Sequence, residues 1–290
     1  MSHALPVRAD FRHFEPLRVR WAEIDAQKIV FNGHYLMYFD TAVAGYWRAL
    51  GLPYAQSMER LQGDLYVRKA TLEYHASALY DDRIDVGLRC ARIGSSSMTL
   101  VAAVFRDETL LVSGELVYVF ADPHTQTSRP VPQALRDILL GFEAGEDMVE
   151  VAVGGWDEQR TEAMALREEV FVREQGIPAQ MAGDPADAAA RHALARNRLG
   201  LALAAGRLLA PEPGVARIGR MAVLRPLRGS GAGRAVLDAL LAAARARGDR
   251  EAVLSAQVSA LGFYRRAGFE PVGEPFVEAG ITHQEMRRAL

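Results

Sequence analysis

The spacing of apolar residues in the N-terminal half of the chain predicts a short strand followed by a long helix. Residues 16–21 alternate between apolar and polar positions, as a half-buried strand does. A helical spacing then follows Asn32-Gly33 and ends at Gly51, where a glycine can take the left-handed conformation that terminates a helix. The apolar positions of this helix are Leu36, Phe39, Val43, Trp47 and Leu50. Because further apolar and aromatic residues stand between them, the helix is expected to be buried on nearly all sides.

Three to four strands are predicted after this helix, and turn residues separate the candidates. They cover residues 65–75, 83–93, 98–106 and 110–121. A single buried helix followed by an antiparallel meander predicts a sheet that wraps round the helix, which is an α+β arrangement.

The second half of the chain has a mixed pattern of helices and strands. Glycine and acidic residues cluster without periodicity over residues 141–155, and the boundary placed there predicts domains at 1–145 and 146–290. Helices are predicted at 162–174, 233–247 and 259–267, and strands at 198–208, 215–224, 251–256 and from 269 onward. The core face of the second of these helices is Val236, Leu237, Leu240, Leu241 and Ala244. The segment 185–198, rich in alanine and arginine, is predicted to be a solvated helix or loop.

Composition narrows the function classes. A length of 290 residues suits two domains, and a net charge of −2 gives no general attraction to nucleic acid or membranes. The one cysteine, Cys90, excludes a disulfide framework and is expected to be a packed thiol. The first residues show no secretory signal and no stretch reaches transmembrane length, so a cytoplasmic location is expected. No cluster of histidine, cysteine and carboxylates has zinc spacing, so no metal is expected.

A glycine-rich turn at residues 221–234 joins a predicted strand to a predicted helix. Backbone N–H groups at such a turn, together with the helix N-terminus, bind phosphate oxygens. The turn lacks the Gly-Lys-Ser/Thr of a Walker A loop and the third glycine of a dinucleotide-binding fingerprint. Alone, such a run is also typical of a flexible turn.

This turn resembles the pyrophosphate loop of the GNAT acetyltransferases, Arg/Gln-x-x-Gly-x-Gly/Ala. Residues 263–269 resemble a second signature of that family, Phe-Tyr-x-x-x-Gly-Phe. Residues 166–178 and 280–286 resemble the first helices and the closing strand of a small GNAT subgroup. The resemblance covers about residues 150–290 and implies an α/β domain with a mixed sheet flanked by helices, with acetyl-CoA or CoA as cosubstrate.

The GNAT resemblance implies transfer of an acetyl group from acetyl-CoA to an amine. It implies that a backbone N–H within residues 221–223 polarises the thioester carbonyl and that Tyr264 protonates the departing thiolate. The positions that match the CoA-binding segment are Met221, Ala222, Val223, Arg228, Gly229, Ser230, Gly231, Ala232, Gly233 and Arg234. An alkyl amine has a pKa of about 10.4, so a base must accept its proton at neutral pH. Glu168, Glu169 and Glu174 are candidates by location, and the sequence does not identify the base.

A carboxylate precedes the predicted buried helix in the first half. Asp25 stands seven residues before Asn32, and the N-terminus of a helix offers free N–H groups to a developing oxyanion. Residues 18–36 resemble the hotdog acyl-CoA thioesterases related to 4-hydroxybenzoyl-CoA thioesterase. Their pattern runs Asp-x-x-Gly-x-Val-Phe/Tyr-His/Asn-x-x-Tyr-Leu. A second match at residues 66–82 extends the resemblance over about residues 14–140 and implies a hotdog fold.

The hotdog resemblance gives a role to each matching position. It implies that Asp25 is the catalytic carboxylate, acting as a nucleophile or as the general base for water. It also implies that N–H groups around Asn32 and Gly33 polarise the thioester carbonyl and that Tyr35 lines the acyl pocket. Lys28 stands where the family often has glycine, and Asn32 where many members have histidine. The alternative role for Asp25 is that of a turn or N-cap aspartate.

Together these patterns predict a bifunctional enzyme that hydrolyses an acyl-CoA thioester in its first domain and transfers acetyl in its second. The expected partners are an acyl-CoA and an amine-bearing acceptor, with no nucleic acid and no membrane. Relatives of the hotdog fold dimerise, so a homodimer or homotetramer through this domain is expected. The alternative is that one domain is a non-catalytic CoA or acyl-CoA sensor or scaffold that regulates the other.

Overall fold

The chain divides into two compact units. A computed structural model describes residues 5–290, and the division falls between Met148 and Val149. No helix within the described residues is long and apolar enough to cross a membrane.

The first unit is an antiparallel five-stranded sheet with three helices. Its elements are β1 (His13–Arg18), α1 (His34–Ala49), α2 (Tyr54–Leu61), β2 (Asp64–Tyr74), β3 (Arg83–Ile93), β4 (Ser97–Arg106), β5 (Thr109–Ala121) and α3 (Gln133–Glu143). The strand order is β1-β3-β4-β5-β2, and every neighbouring pair is antiparallel. The edges of the sheet are therefore β1 and β2.

Helix α1 lies against this sheet and carries the core of the first unit. Phe39, Ala42 and Tyr46 are fully buried, and a Cβ added at Gly114 of β5 would lie 2.7 Å from the Phe39 ring. The glycine therefore makes room for the ring in the sheet. The predicted hotdog fold, a sheet wrapped round α1, is confirmed.

Three details of the first unit differ from the sequence prediction. Leu36 and Met37, in the first turn of α1, are 43% and 52% exposed, so this helix is not buried on all sides. Helices α2 and α3 were not predicted. Each follows a proline and is short, so that few turns carry the apolar spacing.

The second unit is a mixed sheet with helices on both faces. Its elements are β6 (Val149–Gly154), α4 (Trp156–Arg167), β7 (Arg191–Asn197), β8 (Ala202–Glu212), β9 (Val215–Val223), α5 (Ala232–Arg247), β10 (Glu251–Gln257), α6 (Leu261–Arg266), β11 (Glu270–Pro271), β12 (Phe276–Glu278) and β13 (Ile281–Ala289). The strand order is β11-β13-β10-β9-β8-β7-β6, and β12 pairs with β13. Only the β9–β10 pair is parallel among the pairs within residues 5–290.

The two faces of β7 are covered by different helices. Ala193 and Ala195 lie in one core cluster with α5, whereas Leu194 lies in another cluster with Ala163 and Leu166 of α4. The five predicted core residues of α5 are all buried. The expected α/β GNAT fold is confirmed.

The prediction of a solvated helix or loop at residues 185–198 is wrong. The segment contains β7, in which His192, Ala193, Leu194 and Ala195 are each at most 1% exposed. A strand that is buried on both faces shows no alternation of apolar and polar residues. Alanine has a high intrinsic helix propensity, so the alanines of this segment favoured a helix in the prediction. Strand β6 likewise occupies part of the stretch 141–155, in which the sequence shows no clear periodicity.

Candidate active sites

Asp25 lies in a tight turn between the paired residues Ile24 and Val30. Its N–H donates to the carbonyl of Ile29 at 2.9 Å, and its carbonyl accepts the N–H of Lys28 at 2.9 Å. Its Oδ1 accepts the N–H of Gln27 at 2.7 Å, whereas Oδ2 has no hydrogen-bond partner within residues 5–290. The turn therefore fixes one carboxylate oxygen and leaves the other available.

The turn keeps the conformation that glycine would give it. Lys28 has φ 63°, in the left-handed region that side chains other than glycine and asparagine rarely adopt. The lysine therefore occupies the glycine position of the family pattern with the backbone geometry of a glycine, and its side chain is exposed.

We expect Lys28→Gly to raise the free energy of unfolding of the first unit by about 0.5–1 kcal/mol. The left-handed conformation costs a residue with a Cβ about 1–2 kcal/mol, and the greater chain entropy of glycine offsets part of that gain. Lys28→Ala keeps the Cβ and serves as the control, with stability near that of the wild type. Urea denaturation followed by circular dichroism measures both. A glycine variant less stable than the alanine variant would contradict the strain argument.

The N-terminus of α1 is close in sequence to this turn and has no side-chain cap. The N-cap is Gly33, and the N–H of His34 donates to the carbonyl of Phe31 at 2.9 Å. A Cβ at Gly33 would lie 2.9 Å from the Phe31 ring, so glycine allows this ring to cover the start of the helix. Asn32 is exposed, and its carbonyl accepts the Tyr74 hydroxyl at 3.1 Å. Helices leave N–H groups of the first turn unpaired, which makes this end a site for negative charge.

A buried glutamate that no sequence pattern indicated connects this region to α1. Glu23 is 3% exposed, and its carboxylate accepts the N–H of Arg20 at 2.7 Å and the Tyr38 hydroxyl at 2.8 Å. Burial opposes ionisation of Glu23, but these bonds and the Arg20 guanidinium hold its pKa below the ordinary value. Burial and the bond to Glu23 raise the pKa of Tyr38. The hydrogen bond from the neutral Tyr38 hydroxyl to the Glu23 carboxylate therefore fixes the residues before Asp25 to the helix.

Tyr35 is buried in the first unit. Its side chain is buried against Tyr38 and Tyr74, and its hydroxyl accepts the N–H of Ala78 at 3.0 Å. Ala78 also accepts the N–H of Val30 through its carbonyl at 2.9 Å. Tyr35 thus holds the segment that anchors the Asp25 turn.

In the second unit, β9 and β10 separate part of the way along their length. Their parallel pairing runs from Val215 beside Glu251 to Arg217 beside Val253, and both strands continue beyond that point. A cavity of about 370 Å³ lies there. Its lining includes Phe171, Gln175, Asp184, Arg207, Arg217, Arg220, Met221, Ser255, Gln257, Tyr264, Glu278 and His283.

The end of β9 directs one backbone amide away from β8, toward this opening. Its register with β8 shifts between Ala222, paired with Ala205, and Gly219, paired with Arg207, so that β9 bulges at 220–221. The N–H of Leu224 donates to β8, to the carbonyl of Leu203 at 3.0 Å. Because N–H groups alternate between the two edges of a strand, the N–H of Val223 points away from β8, toward the opening.

The glycine-rich turn that follows β9 exposes a set of unpaired amides. Gly229 and Gly231 have φ 89° and 94°, and α5 begins directly after Gly231. Within residues 5–290 the N–H groups of Gly229, Gly231, Gly233 and Arg234 have no acceptor. The N–H of Ala232 contacts the Ser230 hydroxyl at 3.3 Å. We call residues 229–234 the amide cradle.

The arginine side chains near the amide cradle are paired with other protein groups. Arg228 binds Glu174 with two parallel hydrogen bonds of 2.6 and 2.8 Å. Arg234 binds Asp238 at 2.8 Å. Glu168 and Glu169, the other two candidate bases, both pair with Arg173. None of the three glutamates lines the cavity, and Glu174 is held by a guanidinium, so the geometry does not favour any of them as the base.

Tyr264 of α6 lines the cavity. Burial raises the pKa of Tyr264 to about 12, so the phenol carries its proton at neutral pH. Its ring packs edge-on against Phe263 and Phe269, which fixes its position.

A network of ion pairs forms one wall of the cavity. Asp184 accepts hydrogen bonds from Arg207 at 2.8 Å and Arg220 at 2.7 Å, and these bonds lower the pKa of Asp184 to about 2. Behind it, the buried Asp187 binds Arg167 and Arg207, each at 2.9 Å. Asp184 is therefore ionised and paired with two guanidinium groups. Within residues 5–290 no group of three or more histidine, cysteine or carboxylate side chains could hold a metal ion.

The first unit, an antiparallel sheet round one helix, is a hotdog unit. The second unit, a mixed sheet with an opening beside the amide cradle, is a GNAT unit. The thioesterase-like superfamily matches residues 19–139, and the acetyltransferase (GNAT) domain family matches residues 160–290. The chain belongs to the thioesterase-like superfamily through its N-terminal half and to the GNAT acetyltransferases through its C-terminal half. Both families use CoA-based substrates.

Individual relatives match one half or the other. The uncharacterized N-acetyltransferase YjcF of Bacillus subtilis is 33% identical over 133 residues, covering 46% of this chain and 94% of that protein. The acyl-CoA thioester hydrolase YbgC of Escherichia coli O157:H7 is 27% identical over 121 residues, covering 41% of this chain and 90% of that protein. The crystal structure of the PA5185 protein of Pseudomonas aeruginosa is 31% identical, covers 49% of this chain and 99% of its own, and has a TM-score of 0.43.

Proposed function

We propose that this chain is a bifunctional acyl-CoA enzyme. Residues 1–145 hydrolyse an acyl-CoA thioester, and residues 146–290 transfer an acetyl group from acetyl-CoA to an amine. The observation that carries the proposal is the amide cradle, where four unpaired N–H groups lie at the start of α5. The N-terminus of a helix favours negative charge, and the pyrophosphate of CoA supplies oxygens that accept such N–H groups.

In acetyl transfer, the residues at the opening between β9 and β10 have separate tasks. The N–H of Val223, which points toward the opening, donates to the thioester oxygen as negative charge develops on it. Tyr264 holds a proton at neutral pH and gives it to the departing sulfur. The amide cradle binds the pyrophosphate, and the Arg228–Glu174 pair holds the loop in place beside it.

In hydrolysis, Asp25 supplies the carboxylate. Its Oδ1 is fixed by Gln27, so Oδ2 attacks the thioester carbon or takes a proton from water. The N–H groups around Asn32 and Gly33, at the uncapped start of α1, stabilise the oxyanion. Glu23 and Tyr35 position these segments through their bonds to Tyr38 and Ala78.

The first unit assembles with a copy of itself through β2. This strand has 11 residues, pairs with β5 on one side, and has no partner on its other side within residues 5–290. An exposed strand edge invites pairing with another chain, and Val67 in the first half of β2 is 56% exposed.

We expect the wild-type chain to be a dimer or tetramer at micromolar concentration. Val67→Glu should shift it toward the monomer, because a carboxylate would be desolvated in the paired edge. Light scattering coupled to size exclusion measures both chains, with Val7→Glu, an exposed valine outside β2, as the control. A monomeric wild type would contradict the assembly.

The two activities are tested together on the full chain. Purified protein is mixed with a panel of acyl-CoAs, and free thiol is followed with and without a panel of primary amines. Thiol release without amine reports hydrolysis, and amine-dependent release accompanied by the N-acetyl product reports transfer. If no acyl-CoA released thiol without amine, the proposed hydrolysis would be contradicted. If no acyl-CoA and amine together gave amine-dependent thiol release, the proposed transfer would be contradicted.

A further inference from the structure

His283 is the histidine that lines the cavity of the second unit. It lies on β13, where it pairs with Gln257 of β10 on one side and with Phe276 of β12 on the other. Its ring stacks on Phe276 at an interplanar angle of 22°. The cavity that it lines is also lined by Met221 of the β9 bulge and by Tyr264.

One hydrogen bond determines which nitrogen of His283 carries the proton. Nδ1 lies 2.8 Å from the carbonyl oxygen of Ile281. A carbonyl only accepts hydrogen bonds, so Nδ1 is the protonated nitrogen of the neutral ring, and Nε2 keeps its lone pair. Within residues 5–290 Nε2 has no hydrogen-bond partner, and the side chain is half-buried. The ring is therefore oriented and has a free basic nitrogen.

The other ionisable groups of the cavity do not offer a free base of this kind. Charged or titratable side chains from every neighbouring element are Asp184, Arg207, Arg217, Arg220, Tyr264 and Glu278, with Glu285 on β13 itself. Arginine and tyrosine are protonated at neutral pH, and Asp184 binds two guanidinium groups. Glu285 lies 4.0 Å from Arg217. Glu278, at the end of β12, is exposed and has no guanidinium partner within residues 5–290, which leaves it as the competitor to be tested.

We propose that His283 is the general base that deprotonates the acceptor amine, an inference that rests on the proposed acetyl transfer. Nε2 takes one proton from the ammonium group. The amine nitrogen then bonds to the acetyl carbon, and the carbon–sulfur bond breaks as Tyr264 protonates the sulfur. The second nitrogen proton restores Tyr264, and the proton on His283 passes to solvent. The products are the amide, free CoA thiol and one proton.

The test compares two acceptors that differ in whether they need a base. Benzylamine is protonated at neutral pH and aniline is not, and both are assayed with acetyl-CoA and the full chain. His283→Gln should lower kcat/KM for benzylamine by about 10²–10³-fold, and that for aniline by less than about tenfold. The variant rate with benzylamine should follow the fraction of free amine as pH rises. Added imidazole should restore activity to His283→Ala.

Two further variants and one binding measurement complete the design. Glu278→Gln and Thr282→Ala, an exposed neighbour on β13, should retain wild-type rates, and calorimetry should give all variants the wild-type affinity for CoA. Equal losses with both amines, or a larger loss in Glu278→Gln, would overturn the role of His283 and leave acetyl transfer standing. A wild type that binds CoA but acetylates neither amine would overturn the transfer and the base together.

Discussion

Asp25→Asn should lower acyl-CoA hydrolysis by about 10²–10⁴-fold while acetyl transfer by the second unit stays near the wild-type rate. The amide oxygen of asparagine can still accept the N–H of Gln27, so the turn is preserved. The substitution therefore removes the charge and basicity of Oδ2 and little else. Initial rates of thiol release without amine measure the effect.

Asp122→Asn is the matched control for this substitution. Asp122 also holds a turn in the first unit, where its Oδ1 accepts the N–H groups of His124 at 2.8 Å and Thr125 at 3.1 Å. Asp122 has no proposed catalytic role, so the Asp122→Asn protein should hydrolyse acyl-CoA at the wild-type rate. An Asp25→Asn protein that hydrolyses at the wild-type rate and unfolds at the wild-type temperature would make Asp25 a turn residue.

The elements that the sequence predicted well are those in which a local pattern decides the structure. Helix α5 has a regular apolar face and begins at glycines with positive φ, so both its core residues and the turn before it follow from short-range spacing. Gly51 has φ 67° and ends α1 as expected. Strand β3 was predicted with the bounds that the structure has.

The features that the sequence did not indicate depend on contacts between distant segments. Strand β7 is buried between α4 and α5, and only the tertiary fold makes its alanines a strand. Glu23 looks like a surface acid until Tyr38 and Arg20 are seen to enclose it. His283 lines the cavity because β13 pairs with β10 and β12, which come from other parts of the sequence.

The departures from family patterns also needed the structure. From the sequence, Lys28 in place of glycine could have changed the conformation of the loop. Its φ of 63° is a value typical of glycine, so the backbone at this position keeps the glycine conformation. Arg228 matched the expected CoA-binding position, but its guanidinium is paired with Glu174, so the proposed CoA site relies on the backbone amides. Side-chain identity alone does not reveal which groups remain unpaired.

Gly231→Val should weaken CoA binding to the second unit by about 10–100-fold, equivalent to about 1.4–2.8 kcal/mol. Valine at φ 94° is strained, and relief of the strain turns the amides of the cradle away from the pyrophosphate. Hydrogen bonds to charged groups contribute about 1.5–3 kcal/mol each, so loss of one or two accounts for the change. In calorimetry, the full-chain variant should show one class of CoA site fewer than the wild type. The KM for acetyl-CoA in the transfer reaction should rise.

Gly248→Val separates loss of the cradle from loss of stability. Gly248 ends the same helix with φ 92°, and, as at Gly231, an added Cβ would meet no atom within 4 Å. Both variants therefore carry a similar strain, about 1–3 kcal/mol in the folded state, but only Gly231 borders the unpaired amides. We expect equal losses in thermal stability and a wild-type KM for acetyl-CoA in Gly248→Val. If both variants raised this KM equally, or neither did, the pyrophosphate would have to bind elsewhere than at residues 229–234.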